Sequence, residues 1–300
     1  MSLLVYGTVA LDNIKTPSGR RKNLLGGSAV HFSMSARFFT KVHLTGVIGR
    51  DFPKRHVRFL RTQGIDLDSL VEDEGQTFRW DGEYKKTDMN TALTLATELG
   101  VLAGCDPFVA QHQRGLPNIF LANIDPDMQM GLIKMMRRPR LIGLDSMNLW
   151  IAHKRPSLLR LMKKVDMFVA NDGEARALTR EANLIKAARM LRRFGPKLIV
   201  VKKGEHGVLF YCDAFQFSFP AYPVEKVVDP TGAGDTFAGG LMGSLCRARR
   251  LNKQALKQAV AYATTLASFN VEGFGVQRTA GLTMKDINRR MRRYREFISI

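Results

Sequence analysis

The sequence predicts an α/β fold, a mainly parallel central sheet covered by helices, with a small β lid. Three observations predict it. Short β-rich runs alternate with amphipathic helical stretches, the pattern of a sheet wound with helices on its faces. A length of 300 residues at 45% hydrophobic content is enough for one large α/β domain, or for a large domain with a smaller appendage. Two stretches break the alternation and carry β-type runs of their own.

In chain order, core strands are expected at 3–6, 42–48, 118–122, 141–145, 167–170 and 198–202. Helices are expected between them. The segment 28–39 follows a double glycine, 53–63 ends at Gly64, and 127–137 stops before Pro139. Segment 156–164 opens on a proline in its first turn, and 183–194 ends at Gly195. The exceptions are 14–23, polar with Pro17 and Gly19 marking a turn, and 76–95, which contains TFRWDGEYK and TALTLAT. We read them as one lid made by insertions at about 13–24 and 76–97 of a single domain covering 1–300. No internal repeat or low-complexity tract is found.

Several function classes are excluded. The opening MSLLVYGTVALD reads as a buried strand rather than a signal peptide. No run approaches the ~20 apolar residues needed to span a bilayer. Three scattered cysteines, Cys105, Cys212 and Cys246, form no CxxC pair and argue against a disulfide framework or a cysteine zinc site. A soluble, cytoplasmic protein is the expectation. The net charge of +19 is spread along the chain, densest at Lys285, Arg289, Arg290, Arg292, Arg293 and Arg295. It is compatible with nucleic acid, a membrane surface, anionic substrates or a solvated face. The basic stretches lack the aromatic interleaving of single-strand binders, so nucleic acid is not the expected partner.

The chemistry is concentrated in Asp229-Pro-Thr-Gly-Ala-Gly-Asp-Thr-Phe-Ala-Gly-Gly240, which follows a β-type run over 215–228 and opens a long apolar helix. Gly232 and Gly234 remove side chains where backbone must approach a ligand. The helix start leaves N–H groups unpaired at the positive end of its dipole, a ready anion site. Asp235 sits in the first helical turn beside it, placed to take a proton from a hydroxyl while phosphoryl charge is stabilised nearby. Taken alone, the turn is also compatible with an ordinary glycine-rich helix cap.

Three further elements accompany it: Leu24-Leu25-Gly26-Gly27-Ser28-Ala29-Val30-His31 before a helix, Asn171-Asp172-Gly173-Glu174 after a strand, and Lys202-Lys203-Gly204-Glu205-His206-Gly207 after a strand. In this order and spacing the chain resembles the ribokinase-like (PfkB) family of carbohydrate and nucleoside kinases over essentially its whole length. The resemblance implies a ribokinase-like three-layer α/β/α domain with a β lid over the acceptor. It implies an anion hole from Gly232, Ala233 and Gly234, with Asp235 as general base. It also implies ATP as phosphoryl donor and a Mg²⁺ organised by Asn171 and Glu174, whose alternative role is to cap a helix. On the nucleotide side it implies Lys202, Gly204, Gly207 and Thr231, with Gly273 and Gly275 closing around the nucleoside. A monovalent cation and a homodimer are left open.

On the acceptor side the implied residues are Asp12, suited to a diol, Gly26, Gly27, His31 and Asn123. Asp125, Asp145, Ser146 and Asn148 also follow strands, where open α/β sheets bind ligands, and Arg79 and Trp80 lie on a lid strand. Two departures from the family pattern are His31, where many members have Asn, and Pro230, where many have a smaller residue. His31 puts the sugar identity in doubt.

No G-x-x-x-x-G-K-[ST], no G-x-G-x-x-G after the first strand and no HExxH is present. The acidic run of Asp66, Asp68, Glu72, Asp73 and Glu74 is expected to be a solvated turn. The leading expectation is an ATP-dependent sugar kinase. The alternatives are a nucleoside kinase and, from another class, a non-catalytic basic protein associated with nucleic acid.

Overall fold

The structure, a computed structural model, describes residues 2–299. Its strands are β1 (Ser2–Tyr6), β2 (Ala10–Thr16), β3 (Gly19–Gly26), β4 (Lys41–Gly49), β5 (Asp66–Asp73), β6 (Arg79–Lys85), β7 (Asp88–Glu98), β8 (Asn118–Leu121), β9 (Leu141–Asp145), β10 (Met167–Asn171), β11 (Leu198–Lys202), β12 (Val208–Tyr211) and β13 (Gln216–Phe219). Nine form one sheet in the order β13-β12-β11-β10-β9-β8-β1-β4-β5. Every pair from β11 to β5 is parallel, and β12 and β13 add an antiparallel edge.

Because successive side chains alternate faces, this sheet carries two cores. Leu3 and Val5 of β1 join one core with Phe32, Leu241 and Val260, from the helices Ser28–Ala36, Ala233–Arg247 and Lys253–Asn270. Leu4 and Tyr6 point the other way, to Leu132, Leu158, Leu178 and Leu191 on the helices Pro126–Met135, Arg155–Met162, Asp172–Thr179 and Leu184–Arg193. A strand buried on both faces must be apolar at consecutive positions, which is why these strands stand out in the sequence.

Three expectations are corrected. From Asp66 to Asp73 the acidic run is strand β5, parallel to β4 at the sheet edge, and Glu74 lies just past it. Its buried positions are Leu67 and Ser69, while Asp68, Glu72 and Asp73 face solvent, a charged edge that discourages further pairing. The β-type run over 215–228 forms a strand only at Gln216–Phe219. Pro220 and Pro223 supply no N–H for a ladder, and the chain beyond is irregular. The first helix also ends at Ala36 rather than at 39.

A second sheet of four strands has the order β3-β2-β6-β7, with β2 parallel to β6 and the other pairs antiparallel. Among the described residues no helix is long and apolar enough to cross a membrane.

The chain leaves β1 toward β4 and β5, then resumes on the other side at β8. The carboxyl ends beside this reversal form the crevice where open sheets take ligands. Asn123, Asp145, Asn171 and Lys202 all lie at or just past those ends.

Candidate active site

The glycine turn is held by four hydrogen bonds made by two buried side chains. Asp229, with no exposed surface, accepts from Thr231 N–H and from Gly275 N–H, each at 2.9 Å. Asn270, equally buried, donates to the Thr231 carbonyl at 2.8 Å and accepts from the Thr236 hydroxyl at 3.0 Å. Its Oδ1 also lies 3.2 Å from His31 Nδ1. Sequence reasoning did not single out Asn270; the available signal was a lone amide near the end of an apolar helix.

Gly232 caps the helix Ala233–Arg247 with φ of 71°, in the left-handed region, and a Cβ there would collide with the His31 ring. His31 is 1% exposed and supports the turn from beneath. Burial holds its imidazole below the usual pKa, favouring the neutral ring, against the pull of Asp229. Gly232→Ala combines strain with collision and is expected to cost about 1–3 kcal/mol. An unchanged denaturant midpoint in that variant would contradict this packing.

Of the amides implied for the anion hole, Ala233 N–H donates to the Pro230 carbonyl at 3.1 Å and is turned back into the loop. The N–H groups of Gly232 and Gly234 meet no acceptor among the described residues.

Asp235 stands in the first turn of the same helix, half-buried. Burial, and then the charge of Asp145, push its carboxyl up to about 7, with Lys202 pulling the other way. Lys202 reaches in from the end of β11. Its Nζ is 3.2 Å from Asp145 Oδ2, and a Cβ on Gly234 would lie only 2.8 Å from it. Burial disfavours the ammonium, yet Asp145, Glu174 and Asp235 outweigh it and raise its pKa. Lys202 therefore sits as a cation among three carboxylates, against the turn itself.

Asn171 and Glu174 form a reciprocal cap on the helix Asp172–Thr179. Asn171 Oδ1 accepts from Glu174 N–H and Glu174 Oε2 from Asn171 N–H, both at 2.7 Å. Burial and then Asp145 push the Glu174 carboxyl up to about 7. Three carboxylates against one ammonium leave excess negative charge in a desolvated place, a setting that a divalent cation would relieve. The cap engages Asn171 Oδ1 and Glu174 Oε2 alike, which leaves the second carboxylate oxygen of Glu174 as the fitting ligand, with Asp145 close enough to add charge. Among the described residues no three His, Cys, Asp or Glu side chains form a metal cage of their own.

Asp12 is 4% exposed on β2 and accepts from Gly27 N–H. Burial, then Asp229, Asp235 and Asp81, push it up to about 7 against that hydrogen bond. A Cβ on Gly26 would run into its carboxylate. The side-chain amide of Asn123 is engaged at both ends, accepting from Trp150 Nε1 at 2.9 Å and lying 3.0 Å from Met147 Sδ.

The second sheet reaches the turn through Tyr84, whose hydroxyl is 3.4 Å from Thr231 Oγ1 and whose pKa is raised by burial. Sequence reasoning missed this residue too. The other end of that sheet touches the loop after β11. Asn90 packs where a Gly204 Cβ would be and contacts Glu205 at 3.4 Å. Gly207 fits tightly against Phe219 and Pro220, and Gly273 against Arg278. Arg278 lines a cavity of about 540 Å³ with Tyr222, Val224, Val228, Glu272 and Arg290, next to the turn.

The sequence model of the pfkB family carbohydrate kinases matches residues 5–281. The chain belongs to this family. Members are phosphotransferases with hydroxyl acceptors, and this chain is a sugar or nucleoside kinase of the pfkB family. A cytidine kinase of Thermococcus kodakarensis is 32% identical over 260 residues, covering 84% of this chain and 91% of the relative. A nucleoside kinase of Methanothermobacter thermautotrophicus is 26% identical over 311 residues, covering 92% and 91%. Among solved structures, aminoimidazole riboside kinase from Salmonella enterica, complexed with aminoimidazole riboside and an ATP analogue, superposes with a TM-score of 0.77 at 19% identity. It covers 97% of this chain and all of that one (100%). The ribokinase-like fold is shared in full.

Proposed function

We propose that this chain transfers the γ-phosphoryl group of ATP to a sugar hydroxyl of a nucleoside, with Asp235 as general base. The observation that carries this reading is the pairing of a carboxylate raised to about 7 with unmatched glycine amides at a helix N-terminus. A base is most effective when its pKa lies near the working pH, and burial beside Asp145 supplies that. The acceptor class is favoured by two relatives matched over most of this chain, one a cytidine kinase and one a nucleoside kinase.

In this reading Asp12 accepts hydrogen bonds from the sugar hydroxyls and turns the nucleophilic oxygen toward Asp235. Asp235 removes its proton as the bond to phosphorus forms. The Gly232 and Gly234 amides, with Lys202, hold the oxygens of the migrating group, which needs positioning and charge neutralisation more than covalent help. The cavity beside Tyr222 and Arg278 fits the nucleoside end of ATP. Bound at Glu174, Mg²⁺ would neutralise phosphate charge.

ATP consumption across a panel of nucleosides and free sugars tests the reading. Acceptor-dependent ADP release, faster with a nucleoside than with free ribose, is expected; no acceptor-dependent turnover from any compound would overturn it. Glu174→Gln is expected to raise the Mg²⁺ concentration for half-maximal rate about tenfold or more, while acceptor KM moves little. An unchanged metal titration counts against Glu174 as the ligand.

A further inference from the structure

We infer that Trp80, laid flat against Gly82 on the second sheet, is the stacking surface for the base of the nucleoside acceptor, and that Gly82 is what permits it. This rests on the nucleoside reading above. Three observations carry it.

The first is which face the indole occupies. Strand β6 pairs with β2 in parallel register, Asp12 opposite Trp80 and Ile14 opposite Gly82. Alternation then puts Asp12, Trp80, Gly82 and Tyr84 on one face, and Asn13, Asp81, Lys15 and Glu83 on the other. Contacts agree with this assignment. Asn13 bonds Asp81 at 2.6 Å and Lys15 pairs with Glu83 at 2.8 Å, across the outer face. Tyr84 meets Thr231 of the glycine turn, and Asp12 lies within electrostatic reach of Asp235, across the inner face.

The second is how the indole lies. A Cβ at position 82 would overlap its six-membered ring, at Cη2, Cζ2 and Cζ3. The ring therefore rests on the bare backbone of Gly82 rather than standing up from the sheet. Trp80 Nε1 bonds Thr94 Oγ1 at 3.2 Å, and Thr94 pairs with Gly82 on β7, which fixes the ring's rotation. One face is covered by backbone, and the residue remains partly exposed. Its polar edge is already satisfied, so what it offers a ligand is a π surface.

The third is spacing. Neighbouring strands are about 4.8 Å apart, so the carboxylate suited to the sugar diol and the aromatic ring stand side by side. A nucleoside whose sugar is held by Asp12 brings its base onto Trp80, and a free sugar leaves the ring uncovered. Stacking discriminates little among bases, so the surface selects nucleosides over sugars without choosing the base.

Steady-state kinetics with cytidine and with free ribose provide the test, using the wild type, Trp80→Ala, Trp80→Phe and Gly82→Ala. Trp80→Ala and Gly82→Ala are expected to raise cytidine KM roughly 10- to 100-fold, with KM for ATP within about twofold. Trp80→Phe, which keeps a ring but not the Thr94 bond, should recover most of the loss. Unchanged cytidine KM in the first two variants overturns the stacking role while leaving the nucleoside reading standing. A Trp80→Phe variant as impaired as Trp80→Ala assigns the residue to packing through Nε1 and overturns it equally. Wild-type turnover of free sugars but of no nucleoside removes the nucleoside reading, and this inference with it.

Discussion

Asp235→Asn is expected to fold, to bind ATP and acceptor, and to turn over about 10²–10⁴-fold more slowly than the wild type. The amide keeps the size of the carboxylate but cannot take the hydroxyl proton. Among the other described residues none donates a hydrogen bond to the Asp235 side chain, which lies at a helix start rather than in either core, so stability should change little. Thermal shift with ATP·Mg²⁺ separates binding from chemistry. The wild-type rate should rise with pH through about 7, because the ionised carboxylate is the active form. Near-normal kcat in the variant removes Asp235 from the role of base.

Lys202→Met is expected to lower kcat by about 10²–10³-fold, the scale for losing one charge-stabilising donor. It should also move the pH–rate limb. Lys202 lowers the pKa of Asp235, so its removal raises that pKa and shifts the limb to higher pH. Asp145→Asn removes the charge that raises it and should shift the limb to lower pH. Opposite shifts are a sign test that lost packing does not reproduce. Two shifts in the same direction, or none, would contradict the charge arrangement around Lys202.

The layered fold was legible because parallel strands such as Met167–Asn171 and Leu198–Lys202 bury both faces and leave apolar runs between amphipathic helices. The glycine turn, Asn171, Glu174 and Lys202 were legible as motifs because each directly follows or opens an element. Strand β5 was hidden because half of it is acidic edge, and its hydrophobic positions show only once β4 lies beside it. The run over 215–228 suggested one β-type stretch, but Pro220 and Pro223 deny its second half a ladder. Lys202 was assigned to a nucleotide loop through the family resemblance. Its place among Asp145, Glu174 and Asp235 depends on the register of β9, β10 and β11, in which Asn171 pairs with Lys202 and Val169 with Asp145. Asn270 and Tyr84 act over separations of 39 and 147 residues, beyond any local pattern. His31 read as a substrate contact because the family resemblance implies one at that position; the helix carries its ring under Gly232.

A crystal structure of the chain with a nucleoside acceptor, Mg²⁺ and a non-transferable ATP analogue tests the central claim most directly. The sugar hydroxyl nearest the γ-phosphorus is predicted within about 2.6–3.2 Å of the Asp235 carboxylate, with γ-phosphate oxygens on the Gly232 and Gly234 amides. An acceptor hydroxyl facing some other base, or phosphates seated away from those amides, would contradict it.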